Sequence, residues 1–256
     1  MPDYGLKIIK LQNSMSEEQK IQVHTKAGMF YTTCYKPLFE REKSNPISEV
    51  VRMDNMKFMA AFPDKFFDIA IVDPPYGIGA SDVKFINGTS KTDKPYYKLN
   101  CWDKQRPSEQ YFCELKRVSK NQIVWGGNYF ADILGQFRCY IFWDKTIHGN
   151  SYADGELAWT SFDKVARYYR KNIAQVNSEG RMHPTQKPAT LYQFCLKEFG
   201  EQGQKILDTH LGSQSSRIAA WKMGFDFWGC EIDEQYFKDG CKRFEEQTMQ
   251  TALWVG

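Results

Sequence analysis

Asp73-Pro74-Pro75-Tyr76 closes an apolar run, Phe67-Asp68-Ile69-Ala70-Ile71-Val72. The run reads as a buried strand. Two prolines at its end cannot extend a ladder and fix a rigid turn instead. The turn sets a carboxylate and an aromatic ring side by side at the strand's C-terminal mouth, where open α/β sheets hold their ligands. Such a pair suits a flat, hydrogen-bonding, weakly nucleophilic amine: the ring stacks on it and the carboxylate accepts from it. Pro-Pro turns also end ordinary strands, so the remainder of the chain has to decide.

A second constellation lies at residues 205–233. Lys205-Ile206-Leu207-Asp208 reads as a strand, Gly212-Ser213 as a tight turn opening a helix, and Phe225 to Cys230 as a further strand ending at Glu231. Glycine lets the backbone approach a ligand, and a helix N-terminus offers free N–H groups. An acid at the end of the second strand suits a ribose diol. Asp208, Gly212, Ser213 and Glu231 are therefore the candidate nucleotide-type site. Taken alone, the loop is equally a plain strand–turn–helix; beside the Asp-Pro-Pro-Tyr strand the ligand reading prevails.

These two segments resemble the amino-methyltransferases of DNA, whose catalytic motif is Asp/Asn/Ser-Pro-Pro-Tyr/Phe. Their cofactor loop is commonly Asp-Pro-Phe-x-Gly-Ser-Gly-Thr; here it reads Asp208-Thr209-His210-Leu211-Gly212-Ser213-Gln214-Ser215. His210 stands where the family has Phe, and an imidazole can stack there too. Gln214 stands where the family has a second Gly, and its Cβ leads us to expect a less tight loop. His183-Pro184-Thr185-Gln186-Lys187-Pro188 is similar to the family's segment ahead of the cofactor strand. The resemblance puts Thr185 and Lys187 near the methionine end of the cofactor. Trp125-Gly126-Gly127-Asn128-Tyr129-Phe130 and Trp143-Asp144-Lys145 also match members of the family. The catalytic turn precedes the cofactor loop, which is the permuted order of the beta group.

What the resemblance implies is a Rossmann-like, S-adenosylmethionine-dependent methyltransferase acting on DNA, of the kind found in restriction-modification. Asp73, the Pro74 carbonyl, Pro75 and Tyr76 would form the catalytic turn, with adenine N6 of a flipped base as the acceptor. Cofactor-binding residues would be Asp208, His210, Gly212, Ser213, Glu231, Thr185 and Lys187. No metal is required. Methylation of cytosine N4 stays open, as does a nucleic-acid- or cofactor-binding relic without catalysis. DNA is the implied partner; a homodimer and a cognate restriction nuclease stay open as further partners.

The elements that must position these residues follow from the pattern. Strands alternate with helices, which indicates a doubly wound, mostly parallel α/β sheet. Helices are expected at Asn55 to Phe62, from Ser108 as cap to Val118, at Pro188 to Phe199, Ser215 to Met223 and Glu234 to Gln247. Further strands are expected at 122–125 and 139–143, with Leu157 to Phe162 and Val165 to Tyr169 as a pair. Residues 1–47 lack a clear period and read as an arm, a small helix or a partner-binding extension ahead of a methyltransferase domain at 48–256. Residues 78–107 are polar and Gly-containing, long enough to be a mobile functional loop. Residues 146–182 are the candidate target-recognition insertion.

Composition narrows the class. The chain has 256 residues, enough for one well-buried α/β domain. Its net charge is only +3, so a nucleic-acid surface must come from local clustering. Lys91, Lys94, Tyr97 and Lys98 form one basic-aromatic cluster; Arg167, Arg170 and Lys171 form the other. Cations neutralise phosphates and aromatics stack on bases. Seven scattered cysteines without a CxxC pair argue against a zinc site or a disulfide framework and fit a reducing cytoplasm. No run approaches transmembrane length, so no membrane partner is expected.

Overall fold

The computed structural model describes residues 45–79, 103, 105–147, 153–172 and 186–252, together with three strands in the N-terminal region. Those three are β1 (Ile8–Lys10), β2 (Lys20–Thr25) and β3 (Gly28–Thr33), an antiparallel sheet in the order β1-β2-β3. The expected alternatives for residues 1–47 included a small helix. Strand formation wins where Ile21 and Val23 alternate with polar residues, a period of two that suits a sheet rather than a helix.

The remaining strands are β4 (Ser48–Arg52), β5 (Phe67–Val72), β6 (Ser119–Trp125), β7 (Tyr140–Asp144), β8 (Gly155–Thr160), β9 (Arg167–Arg170), β10 (Lys205–Asp208) and β11 (Asp226–Glu231). They form one eight-stranded sheet in the order β4-β11-β10-β5-β6-β8-β7-β9. Pairing is parallel from β4 through β6, antiparallel for β6/β8 and β8/β7, and parallel again for β7/β9.

Among the described residues six helices accompany the sheet: α1 (Asn55–Ala60), α2 (Glu109–Val118), α3 (Ala131–Leu134), α4 (Ala189–Phe199), α5 (Ser215–Lys222) and α6 (Glu234–Ala252). Ser108 caps α2 by accepting from the Tyr111 N–H, and Asp54 caps α1 through Lys57. In β5 the side chains alternate between two cores. Ile69 and Ile71 join Leu191, Leu196 and Ala219 on the face covered by α4, α5 and α6. Ala70 and Val72 join Phe58, Phe112 and Leu115 on the face covered by α1 and α2. A strand buried on both faces reads as a continuous apolar run, which is why β5 does.

The expected pairing of the strands near 157–162 and 165–169 is corrected. β7 lies between them and pairs with each, through Phe142↔Leu157 and Phe142↔Tyr168. The hydrophobic pattern marks strands but not their neighbours, and β7 has the buried Ile141 and Trp143 that belong inside a sheet. Much of the expected insertion is sheet, because β8 and β9 fall inside it and β8 is an interior strand.

One topological fact positions the site. β5 and β10 are adjacent and parallel, registered through Ile206↔Ile69 and Leu207↔Ala70. From β5 the sheet grows to β6 on one side; from β10 it grows to β11 on the other. The reversal point is where an open α/β sheet leaves a crevice above its strand ends.

Candidate active site

The turn after β5 carries Asp73, Pro74, Pro75 and Tyr76. The Tyr76 hydroxyl donates to Asp73 Oδ1 at 2.8 Å, and the ring stacks on Tyr129, centroids 4.9 Å apart and 16° from parallel. Tyr129 lies in the 3-10 turn Gly127–Phe130 that follows β6. The exit of the turn is tied down by Asp103, a buried residue whose Oδ1 accepts from the Gly77 N–H at 2.8 Å. Gly126 has a specific reason to be glycine. Its φ is +69°, and a Cβ there would lie 2.2 Å from the Tyr76 ring.

Two further residues complete the carboxylate's surroundings. Lys187 Nζ, on a side chain 2% exposed, lies 2.6 Å from Asp73 Oδ1, 3.0 Å from Glu156 Oε2 and 3.1 Å from the Tyr76 hydroxyl. Glu156, from β8, is held on its other oxygen by Lys145 at 2.5 Å. Burial raises the Asp73 carboxyl above its ordinary range, and the like charge of Glu156 adds to this, while Lys187 opposes both. Burial also pushes against the Glu156 anion, but Lys187 and Lys145 outweigh it and hold this carboxyl at about 2. Burial and the two carboxylates push the Tyr76 phenol well up, so it stays neutral and able to donate.

The resemblance put Lys187 near the cofactor's methionine end; in the structure its ammonium is committed to Asp73 and Glu156. Glu156, Lys145 and Tyr129 were not singled out as site residues. Lys145 and Tyr129 lie within the two quoted tryptophan segments. Glu156 is invisible in sequence because only the β6-β8-β7 pairing sets β8 next to β6, within reach of Lys187.

The loop after β10 is built from internal bonds. Asp208 is buried; it accepts from the His210 N–H at 2.9 Å on one oxygen and from the Ser216 hydroxyl on the other. Burial pushes its carboxyl up to about 7. The His210 ring meets Asn55 Nδ2 at 3.1 Å and packs edge-on to Tyr111. Burial brings its pKa down to about 4, so the imidazole is neutral. Ser213 lies beside Ser215, hydroxyls 3.1 Å apart, and its carbonyl accepts from Arg243 at 2.6 Å. Glu231 accepts the Gly212 N–H at 2.8 Å and the Ile232 and Asp233 N–H groups at 2.9 Å.

The expected loosening at Gln214 does not occur. Gln214 takes φ +58°, the left-handed conformation a glycine would adopt, and its side chain is fully buried. Its Oε1 accepts from Arg217 at 2.9 Å, and its chain lies against Gly240 of α6, where a Cβ would come within 2.7 Å. A Cβ added at Gly212, in contrast, meets nothing within 4 Å, so this part of the loop borders open space. Ile232, 70% exposed beside Glu231, adds an apolar surface that the sequence reading did not single out.

The expected nucleic-acid residues divide. Lys91, Lys94, Tyr97 and Lys98, most of the 78–107 loop, and Thr185 lie outside the described residues. Arg167 and Arg170 are described, and both are paired internally. Arg167 bonds Glu198 at 2.7 Å, and Arg170 bonds Asp144 at 3.0 Å. Lys171 bonds the Thr190 hydroxyl at 2.9 Å. The cluster does not converge on one face, because neighbouring residues of a strand point to opposite sides. Among the described residues no group of three or more His, Cys, Asp or Glu could hold a metal, and no helix is long and apolar enough to cross a membrane.

The mostly parallel sheet with two loops meeting at its reversal point is a Rossmann-like methyltransferase fold. TTHA0409 of Thermus thermophilus, solved with S-adenosyl-L-methionine, superposes with a TM-score of 0.52 at 17% identity, covering 78% of this chain and 94% of that one. The cytosine-N4-specific PvuII DNA methyltransferase also superposes at 0.52, with 13% identity, covering 80% of this chain and 92% of that one. Residues 123–242 match the N6/N4 family model described as DNA methylase. YubD of Escherichia coli is 28% identical over 235 residues, covering 82% of this chain and 95% of YubD. The type II methyltransferase M2.DpnII of Streptococcus pneumoniae is 23% identical over 254 residues, covering 83% and 93%. The DNA adenine methyltransferase YhdJ of Escherichia coli is 22% identical over 258 residues, covering 81% and 86%. Over residues 123–242 the chain is similar to the N6/N4 DNA methylases, and over most of its length to curated DNA methyltransferases.

Proposed function

We propose that this protein transfers a methyl group from S-adenosylmethionine to the N6 amine of an adenine flipped out of DNA. The observation that carries the reading is the adjacency of β5 and β10, which sets the Asp73 turn beside the Asp208 loop. The residues fit the cofactor. Gly212 borders open space, Glu231 closes the second strand, and the exposed Ile232 offers an apolar face to a purine. The α5 N-terminus contributes N–H groups beside Gly212 and Ser213. When bound, the cofactor supplies an electrophilic sulfonium methyl.

The chain's own residues prepare the amine. Adenine N6 is a poor nucleophile because its lone pair is delocalised into the ring. Asp73 would accept one amino hydrogen and the Pro74 carbonyl the other, drawing the nitrogen toward sp³ geometry. Asp73 receives both Tyr76 and Lys187 on Oδ1. That arrangement directs the incoming amine to Oδ2. Tyr76 and Tyr129 supply an aromatic platform for the base. Positioning and exclusion of water would provide most of the rate.

Adenine is preferred because the turn begins with Asp73, and the name of YhdJ supports it. The cytosine-N4 specificity of PvuII sets the alternative. Mass analysis of nucleosides from DNA incubated with the protein and S-adenosylmethionine is the test. N6-methyladenine is the expected product; N4-methylcytosine in its place overturns the base assignment, and unmodified DNA overturns the reading.

A further inference from the structure

We propose that Lys187, braced by Glu156 and Lys145, is a positioning residue that keeps the Asp73 carboxylate charged and turned toward the target amine, and is not a cofactor ligand. The proposal rests on the reading of Asp73 as the group that meets the amine. It begins from a count of donors. A lysine ammonium has three N–H groups and no acceptor. Lys187 has three acceptors within reach: Asp73 Oδ1, Glu156 Oε2 and the Tyr76 oxygen. That set matches the ammonium's capacity, and the side chain is buried to 2%.

The charges balance as well. Asp73 and Glu156 supply two negative charges; Lys187 and Lys145 supply two positive ones. An unpaired buried charge is strongly unfavourable, so each member of the group depends on the others. Glu156 reaches Lys187 with one oxygen and Lys145 with the other, which anchors the lysine beside the turn. Lys187 lies 5.6 Å from the centroid of Tyr76 and 5.5 Å from that of Trp125, so its ammonium is also walled by aromatic faces.

The consequence concerns the acceptor. Lys187 and Tyr76 touch Asp73, the charge of Glu156 reaches it without contact, and the charge of Asp73 in turn reaches Tyr192 of α4 and Asp208 of β10. Of these only Lys187 is a cation. Burial and Glu156 both favour a protonated Asp73. A protonated carboxyl is a much weaker acceptor for an amine than a carboxylate. Lys187 therefore decides the state in which the turn meets its substrate. Glu156 decides where Lys187 sits.

Carboxyl carbon NMR of the full-length protein labelled with ¹³C-aspartate tests this without requiring turnover, with the Asp73 resonance assigned through Asp73→Asn. In Lys187→Met the Asp73 titration midpoint should rise by about 1–3 pH units, the usual effect of losing an adjacent cation. In Glu156→Gln it should fall, because a like charge is removed while the amide still accepts from Lys187. Lys187→Arg should restore the midpoint to near the wild-type value. The S-adenosylmethionine dissociation constant of Lys187→Met, measured by calorimetry, should stay within about threefold of wild type. An unchanged midpoint in Lys187→Met overturns the proposal, as does a cofactor affinity lowered about a hundredfold with the midpoint unmoved. Should Lys187→Met fail to fold, Glu156→Gln decides: a downward shift supports the proposal and no shift overturns it. Wild-type protein that transfers no methyl group to DNA would refute the proposed function separately, with the titration still deciding the role of Lys187.

Discussion

Replacing Gly126 with alanine should disable the site while leaving the fold largely in place. Two effects add. The residue has φ +69°, so any side chain pays a left-handed penalty of about 1–2 kcal/mol. The new Cβ would also lie 2.2 Å from the Tyr76 ring, far inside van der Waals contact. The ring must move, and it is held by its stack on Tyr129 and its hydrogen bond to Asp73. Losing the stack costs about 0.5–1.5 kcal/mol. Losing a hydrogen bond to a charged group costs about 1.5–3 kcal/mol. If both are needed in the transition state, their sum corresponds to roughly a 30- to 2,000-fold fall in kcat/KM. Gly203→Ala is the control, because Gly203 has φ +83° and nothing within 4 Å of an added Cβ. Thermal denaturation should show a loss in both variants, larger in Gly126→Ala because Tyr76 is displaced, with both still folded at the assay temperature. Radiolabelled methyl transfer should fall only in Gly126→Ala. Equal activity in the two would refute the claim that Tyr76 must be held where it is.

Asp208→Asn tests the buried carboxyl. The folded-state value of about 7 lies above the ordinary one, so the neutral form is favoured by folding, and wild-type stability should decline as pH rises from about 4 to about 7. The difference between wild type and variant in urea denaturation should change across that window by at most about 1.4 kcal/mol per pH unit, and a flat difference would contradict the assignment. Glu231→Ala should weaken S-adenosylmethionine binding by about 1–3 kcal/mol, since it frees the Gly212 N–H and removes the acid at the strand end; calorimetry showing wild-type affinity would count against it. Arg167→Gln with Arg170→Gln should reduce the salt dependence of DNA binding by less than about 0.9 per charge removed, because both guanidiniums are paired internally. The full reduction for two phosphate contacts would mean that the pairs open on DNA.

Most of the sheet could be read from the sequence, because β5, β6, β10 and β11 are apolar runs ended by turn residues. Each run is buried on both faces, and that removes the helix period. What could not be read was adjacency. Nothing in Leu157 to Tyr169 says that β7 separates β8 from β9, since strand neighbours depend on tertiary packing. The same limit hid Glu156, a charged residue whose partners Lys187 and Lys145 lie on other segments. Gln214 shows a different limit. Its departure from glycine signalled a looser loop only while Gly240 was unknown; the absent Cβ at 240 leaves room for the Gln214 side chain. The clustered basics Arg167, Arg170 and Lys171 looked like a phosphate surface because sequence lists charges without their partners.

The central claim is that Asp73 acts on the target amine and not on the cofactor. Asp73→Ala assayed side by side for methyl transfer to DNA and for S-adenosylmethionine binding tests it most directly. The expected result is loss of measurable transfer with cofactor affinity close to wild type. A variant that still methylates DNA at the wild-type rate would contradict the account.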